Sequence, residues 1–361
     1  MKDESGLNDH YLNVQLIRIW QFVMTKIFSK NWIALMFSAA LVAGCGGGGS
    51  SSSNGNTSQG TITPYTPSAT VLAAKQSNYA TAFYDSVGTG TGCSNVSNTT
   101  VYLLPNTITY AANGVSELSQ QQAAEYAEQA VGEIRTTLGL TATTGFNGSR
   151  VQICAQTPLI LGVAQGSGAA RGFIVISSDS PSLDRSFLVS NFDMYKKLVK
   201  HELVHTYQLS TLAGGSFASA DTWFTEGLAE YIASGKSSKT KADIMALVAA
   251  QNPIAVISNG FSTANLQYYP AFQSTVAYLF DPSGAKNSLS VIPTFLATLN
   301  TQTSAIRATC TGAACLNASS DAFVQAFEST VKEADGTAMK LRTGTNNLQD
   351  TVSARLNNFL N

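Results

Sequence analysis

Past residue 68 the chain changes its hydrophobic rhythm partway along. Segments 99–110 (TTVYLLPNTITY), 150–155 (RVQICA) and 171–177 (RGFIVIS) are rich in β-branched and aromatic residues, which predicts strands. Between the first two, 116–138 carries apolar residues at helical spacing, and Ser119 with Gln122 fits a capping box near its start. From 191 onward helical spacing dominates, predicting helices over 191–208, 221–234, 239–250, 269–280, 289–299, 320–333 and 347–360. No internal repeat interrupts this order. A small mixed sheet followed by a mostly helical half is an α+β plan.

Composition narrows the picture. Of 361 residues, 44% are apolar, enough for a substantial core, and only 12% are charged, with a formal net charge of -1. Without any excess of positive charge, a nucleic-acid partner held through phosphates is disfavoured. The exposed surface must be mostly uncharged and polar, as in many exported chains. Cysteine usage agrees with export: apart from Cys45, the chain has Cys93, Cys154, Cys310 and Cys315, an even number suited to an oxidising compartment. Of the three possible pairings, Cys93 with Cys154 and Cys310 with Cys315 is favoured, the second closing the short CTGAAC loop between two predicted helices. None of the spacings is that of a structural zinc site.

The amino-terminal region reads as a targeting segment. Met24 opens a stretch with a basic start at Lys26 and Lys30, an apolar run over 32–43 (WIALMFSAALVA) and Val42-Ala43-Gly44-Cys45 directly after it. The apolar run is shorter than the ~17–25 residues that span a bilayer. This arrangement resembles a bacterial lipoprotein signal, with 24–44 removed and Cys45 lipidated, so that lipid rather than a spanning helix anchors the protein. Residues 1–23 form an acidic, amphipathic leader out of place before such a signal, which makes Met24 the expected start. Residues 45–67 are a Gly/Ser-rich tether, leaving 68–361 as the folded domain. Gly46, where inner-membrane lipoproteins of this kind usually carry Asp, implies the outer membrane of the bacterial envelope.

The candidate chemistry lies in His201-Glu202-Leu203-Val204-His205, an HExxH pentapeptide within one predicted helix. Residues four apart share a helical face about one turn apart, so His201 and His205 can offer their imidazoles to one Zn²⁺, with Glu202 beside the vacant position. Glu202 is then placed to act as general base on a water that the cation acidifies to a pKa of ~7. The chain has three histidines, and His10 lies in the leader. Both remaining histidines fall within the pentapeptide, so a third protein ligand must be a carboxylate.

Glu226 stands twenty-one residues beyond His205 in DTWFTEGLAEY, a segment that reads as a second helix capped by Asp221. HELVH followed by WFTEGLAEY resembles the gluzincin metallopeptidases of the peptidase-MA type, and the second segment is especially similar to the matching helix of collagenase-type enzymes. The resemblance covers about 150–335, including YYPAFQSTVAYL from Tyr268. It implies a zincin-like fold, one zinc ion, and Glu226, the Glu before Gly, as third ligand. Glu230, one turn further on the same face, competes for that position or else orients a ligating histidine. Gly227 permits close approach between helices or to the metal. By position Tyr269 corresponds to the family's oxyanion donor, with Tyr268, Tyr231 and Tyr278 as alternatives. Substrate is expected along an exposed sheet edge, for which 172–177 is the candidate strand, with a fully paired core strand the equal alternative for that segment.

These readings converge on a lipid-anchored zinc metallopeptidase, monomeric, with a peptide or protein substrate and a membrane contact through Cys45. The competing reading is a non-catalytic lipoprotein that keeps the same fold and binds peptides or envelope components. Hydrolysis of a non-peptide amide is compatible with the motif as well. The loop at 210–219 (STLAGGSFAS) carries no specificity signature.

Overall fold

A computed structural model describes residues 65–83, 93, 98–156, 166–169, 173–177, 192–212, 220–256, 263–309 and 313–360. The leader, the signal-like segment with Cys45, most of the tether, Cys310 and the side chain of Cys315 lie outside the described residues. Within them the protein is mixed α and β, a six-stranded sheet preceding a mostly helical half.

A short helix α1 (Ala69–Ala73), with Ser68 capping Val71 N, leads into strand β1 (Lys75–Tyr79). Strands β2 (Thr99–Leu103) and β3 (Thr107–Ala111) form an antiparallel hairpin, so the expected single run at 99–110 breaks in two. The break is Pro105-Asn106, which supplies turn chemistry. Glu128, on helix α2 (Glu117–Leu138), pins it: its carboxylate accepts from Asn106 N at 3.1 Å, Asn106 Nδ2 at 2.7 Å and Thr107 Oγ1 at 2.9 Å. Helix α2 begins earlier than the proposed capping box. Ser116 is the N-cap, its Oγ accepting from Ser119 N at 3.2 Å, so Ser119 lies inside the first turn and the Ser119/Gln122 box is not the cap.

Helix α2 carries the chain across to β4 (Val151–Gln156), which lies parallel to β3. Beyond it come β5 (Gly166–Ala169) and β6 (Phe173–Ser177), giving the order β1-β2-β3-β4-β6-β5. Of the two places open to it from the sequence, strand β6 takes the inner one: it pairs in parallel with β4 and antiparallel with β5, and among the described residues β5 is the edge.

Strand periodicity divides the core. Ile108, Tyr110 and Cys154 point to one side, where they meet Phe83 and Cys93, and a Cys93–Cys154 disulfide closes that layer as expected from the sequence. Val151 and Ile153 point to the other side and join the main core beneath α2. That core continues through helices α3 (Phe192–Thr211), α4 (Thr222–Ser234), α5 (Lys241–Ala250), α6 (Tyr269–Phe280), α7 (Ile292–Thr309), α8 (Ala313–Thr330) and α9 (Leu348–Phe359). Helices α7 and α8 each differ from the predicted span. A 3₁₀ turn at Leu289–Val291 precedes α7, which runs on past 299, and α8 starts before 320.

Helix α4 is largely enclosed. Trp223 and Phe224 are fully buried against Phe295 of α7 and Phe323 and Phe327 of α8, with ring centroids between 4.9 and 6.5 Å apart. Each such aromatic pair adds roughly 0.5–1.5 kcal/mol beyond area burial. Asp221 occupies the N-cap position as expected, yet its side chain makes no cap bond. Its carboxylate accepts instead from Trp223 Nε1 at 3.0 Å and pairs with Arg342, whose guanidinium also donates to Ile254 O and Ser320 Oγ. Burial pushes the Asp221 carboxyl up to about 6, although Arg342 and Trp223 pull it back down.

Removing one partner of a buried pair strands the other charge, so Arg342→Ala should cost about 3–5 kcal/mol at pH 7. A carboxyl whose folded value lies above its unfolded value binds more protons in the native state, so its contribution falls as pH rises through that interval. The Arg342→Ala deficit, read by chemical denaturation, should therefore be larger at pH 7 than at pH 5; an equal deficit at both would count against the buried pair.

Candidate metal centre

Helix α3 presents Lys197, His201 and His205 at four-residue intervals, and therefore along one face. Helix α4 lies across that face and brings Glu226 and Glu230, again four residues apart. His201, Glu202, His205 and Glu226 are all buried. Leu203 and Val199, also buried, turn the opposite side of α3 into the main core, with Val204 on its flank, which fixes the roll of the helix.

Three atoms converge between the helices. Nε2 of His205 lies 3.0 Å from Nε2 of His201 and 3.2 Å from Oε2 of Glu226, and the third side, His201 Nε2 to Glu226 Oε2, is 3.5 Å. Ligands of a tetrahedral ion bonded at about 2.0–2.1 Å stand about 3.3 Å apart, so this triangle matches one face of such a site. The buried His201, His205 and Glu226 group can hold a metal ion. Its donor set, two imidazoles and a carboxylate, suits a borderline cation.

Glu230 is not part of the triangle. Its Oε1 sits 3.2 Å from Nδ1 of His201, off the line of a good hydrogen bond, and its Oε2 is 2.8 Å from Lys197 Nζ. It thus backs the distal nitrogen of one histidine. Gln208 backs the other, with Oε1 2.9 Å from Nδ1 of His205. Gln208 escapes detection in the sequence, because a glutamine among apolar helical residues has no motif to mark it.

Helix α6 forms the third wall. Tyr269, its first residue, stacks on the His201 ring at 6.4 Å between centroids, with the planes 13° apart. Two of the alternatives have partners of their own. Tyr278 accepts from Arg355 Nη1 at 2.9 Å at the far end of α6, and Tyr231 feels the charge of Asp281. Helices α4 and α6 touch at Gly227, where an added Cβ would lie 2.6 Å from Phe272 O and 2.8 Å from Val276 Cγ2. Glycine here permits an approach to α6 that no larger residue allows, next to Glu226 in the chain.

The electrostatics are mutual. Burial disfavours the charged form of His201, but Glu226 and Glu230 outweigh it and raise the ring to about 10. His205 is also raised, against its own burial, chiefly by Glu226. Burial alone would lift the carboxyls, yet the imidazoles hold Glu226 well below the carboxylate range, and His201 with Lys197 brings Glu230 to about 2. Tyr269 is pushed well above its ordinary value by burial and by the Glu226 carboxylate beside it.

No known family model matches the chain, and no curated protein matches it.

Metal binding and protons compete for the same nitrogens. With both imidazoles raised, the metal-free pair retains a proton at neutral pH that a cation must displace, and two Nε2 atoms 3.0 Å apart favour one shared proton over two. Zn²⁺ affinity should rise about tenfold per pH unit from 6 to 8, with about one proton released per ion. Chelator competition at three pH values measures this, and a flat profile would contradict the proton-holding arrangement.

Proposed function

We propose that the protein is a zinc-dependent peptide hydrolase of the gluzincin type, anchored to the bacterial envelope by lipid on Cys45. The observation that carries the reading is the convergence of His201, His205 and Glu226 from two helices onto a triangle of ligand spacing. Residues HELVH and WFTEGLAEY, which resemble the gluzincin segments, are those that build it. A mixed sheet, then the HExxH helix, then a helix bearing the carboxylate is the order a zincin-like fold requires.

In this reading His201, His205 and Glu226 hold the cation. When bound, zinc supplies a Lewis acid that polarises a carbonyl and brings a water's pKa to ~7. Glu202 follows His201 on α3, is buried, and its charge acts on His201, His205 and Tyr269 alike, which supports a role beside the same space. It accepts the proton of the attacking water and returns it to the leaving amine. The raised Tyr269 hydroxyl stays protonated across the physiological range and donates to the oxygen on which negative charge develops. Glu230, held by Lys197, places a negative charge behind the His201 ring.

Anchorage is inferred from the lipobox-like VAGC ending at Cys45 and the Gly/Ser tether behind it. Among the described residues no helix is long and apolar enough to cross a membrane.

Two experiments test these proposals. Glu202→Gln preserves the ligands and removes the base, so it should bind one zinc per chain and lose at least about 10²–10⁴-fold in peptide hydrolysis. A wild-type protein that binds zinc yet cleaves nothing in a broad peptide library would favour the peptide-binding lipoprotein instead. Replacing Cys45 with Ser should move the protein from the membrane fraction to the soluble fraction, and unchanged membrane association would refute lipid anchorage.

A further inference from the structure

Building on the reading of His201, His205 and Glu226 as a cation site, we propose that Gln208 is a positioning residue: it fixes the tautomer of His205 and ties that ring to the helix bearing Glu226. Gln208 is fully buried, and both ends of its amide are engaged. Nε2 donates to the backbone carbonyl of Thr225 at 3.1 Å, and Oε1 lies 2.9 Å from Nδ1 of His205.

The two contacts together remove an ambiguity that neither resolves alone. A backbone carbonyl only accepts, so the amide NH₂ must face Thr225. The amide oxygen then faces His205 and can only accept, so Nδ1 must carry the hydrogen. In the neutral ring that hydrogen on Nδ1 leaves the lone pair on Nε2, the atom pointing at His201 and Glu226. Thus a main-chain oxygen of α4 dictates, through one side chain, which nitrogen of His205 faces the site.

The same amide sets a distance. Thr225 immediately precedes Glu226, and its Oγ1 donates to Thr222 O at 3.2 Å within α4. Gln208 therefore spans from an α3 ligand to the peptide carbonyl next to an α4 ligand. Glu230, itself on α4, lies 3.2 Å from the distal nitrogen of His201 and pairs with Lys197 of α3, so that side is bridged by a charged group. The two histidines are backed by different chemistry, and only the His205 side couples the two ligand helices through a neutral group.

The test uses the zinc-loaded full chain. Long-range ¹H–¹⁵N spectra should show His205 bound through Nε2, with a slowly exchanging hydrogen on Nδ1. Gln208→Met, which loses both contacts at similar volume, should weaken Zn²⁺ binding about 10–100-fold in chelator competition and speed exchange of that hydrogen. Gln208→Glu retains an acceptor for Nδ1 and should recover affinity to within about threefold of wild type. His205 bound through Nδ1 in the wild type, wild-type affinity in Gln208→Met, or an equal loss in both variants would overturn the role of Gln208. A wild-type chain that takes up no zinc would overturn the underlying reading itself. The spectrum of the wild type decides the tautomer even where a variant fails to fold.

Discussion

A carboxylate taken out of water costs several kcal/mol unless something nearby replaces its hydration. Glu226 is only 9% exposed, and what replaces that hydration is a pair of imidazole edges 3.2 and 3.5 Å from one oxygen. The stabilisation runs both ways, raising the rings while lowering the acid. Much of the remaining architecture follows from keeping these groups together. Charge neutralisation of this kind demands short, fixed distances, and two helices far apart in sequence must be held in register to provide them.

The clamp has a front and a back. In front, Gly227 lets α4 settle against α6 so closely that a methyl group would strike the Phe272 carbonyl. Behind, Trp223 and Phe224 press α4 into the aromatic cluster of α7 and α8, and Asp221 with Arg342 locks its first turn to the segment between α8 and α9. Helix α3 is fixed from the other direction, through its apolar face and through Lys200 paired with Glu133 of α2 at 2.7 Å. Sheet and helical half thus each grip one side of the centre. The three groups that could hold an ion belong to rigid elements, which suits a preformed site.

What the sequence makes legible follows from how local each signal is. The i, i+4 histidines are visible because both belong to one helix, and the boundaries of α6 and α9 fall close to expectation because their apolar spacing is regular and their ends carry turn chemistry. Strands β1 (KQSNY) and β5 (GSGA) go unseen, since polar or small residues give no alternation to read; backbone pairing alone makes them strands. The inner place of β6 is equally hidden, because its neighbour β5 is one of those silent strands. The Ser116 cap loses to Ser119 by pattern alone, and only the direction of a side chain separates them. Gln208 acquires meaning only from what lies across the gap between helices, a relation that no local pattern encodes.

The choice between Glu226 and Glu230 shows how a tertiary register resolves what periodicity leaves open. Both project from the same face of α4, one turn apart, and either has the reach. Along α3, however, the residues run Lys197, His201, His205, and they meet α4 in the reverse direction: Lys197 against Glu230, His201 between Glu230 and Glu226, His205 against Glu226. Antiparallel packing therefore offers each carboxylate two neighbours. Glu230 receives an ammonium and the distal nitrogen of one ring, whereas Glu226 receives the proximal nitrogens of both. A lysine already anchors one oxygen of Glu230 and faces away from the second histidine. Shifting α4 by one turn to exchange the two acids would carry the Gly227 notch off Phe272 and drive bulkier side chains into α6. The same glycine that permits the helix contact thus also selects which acid meets both histidines.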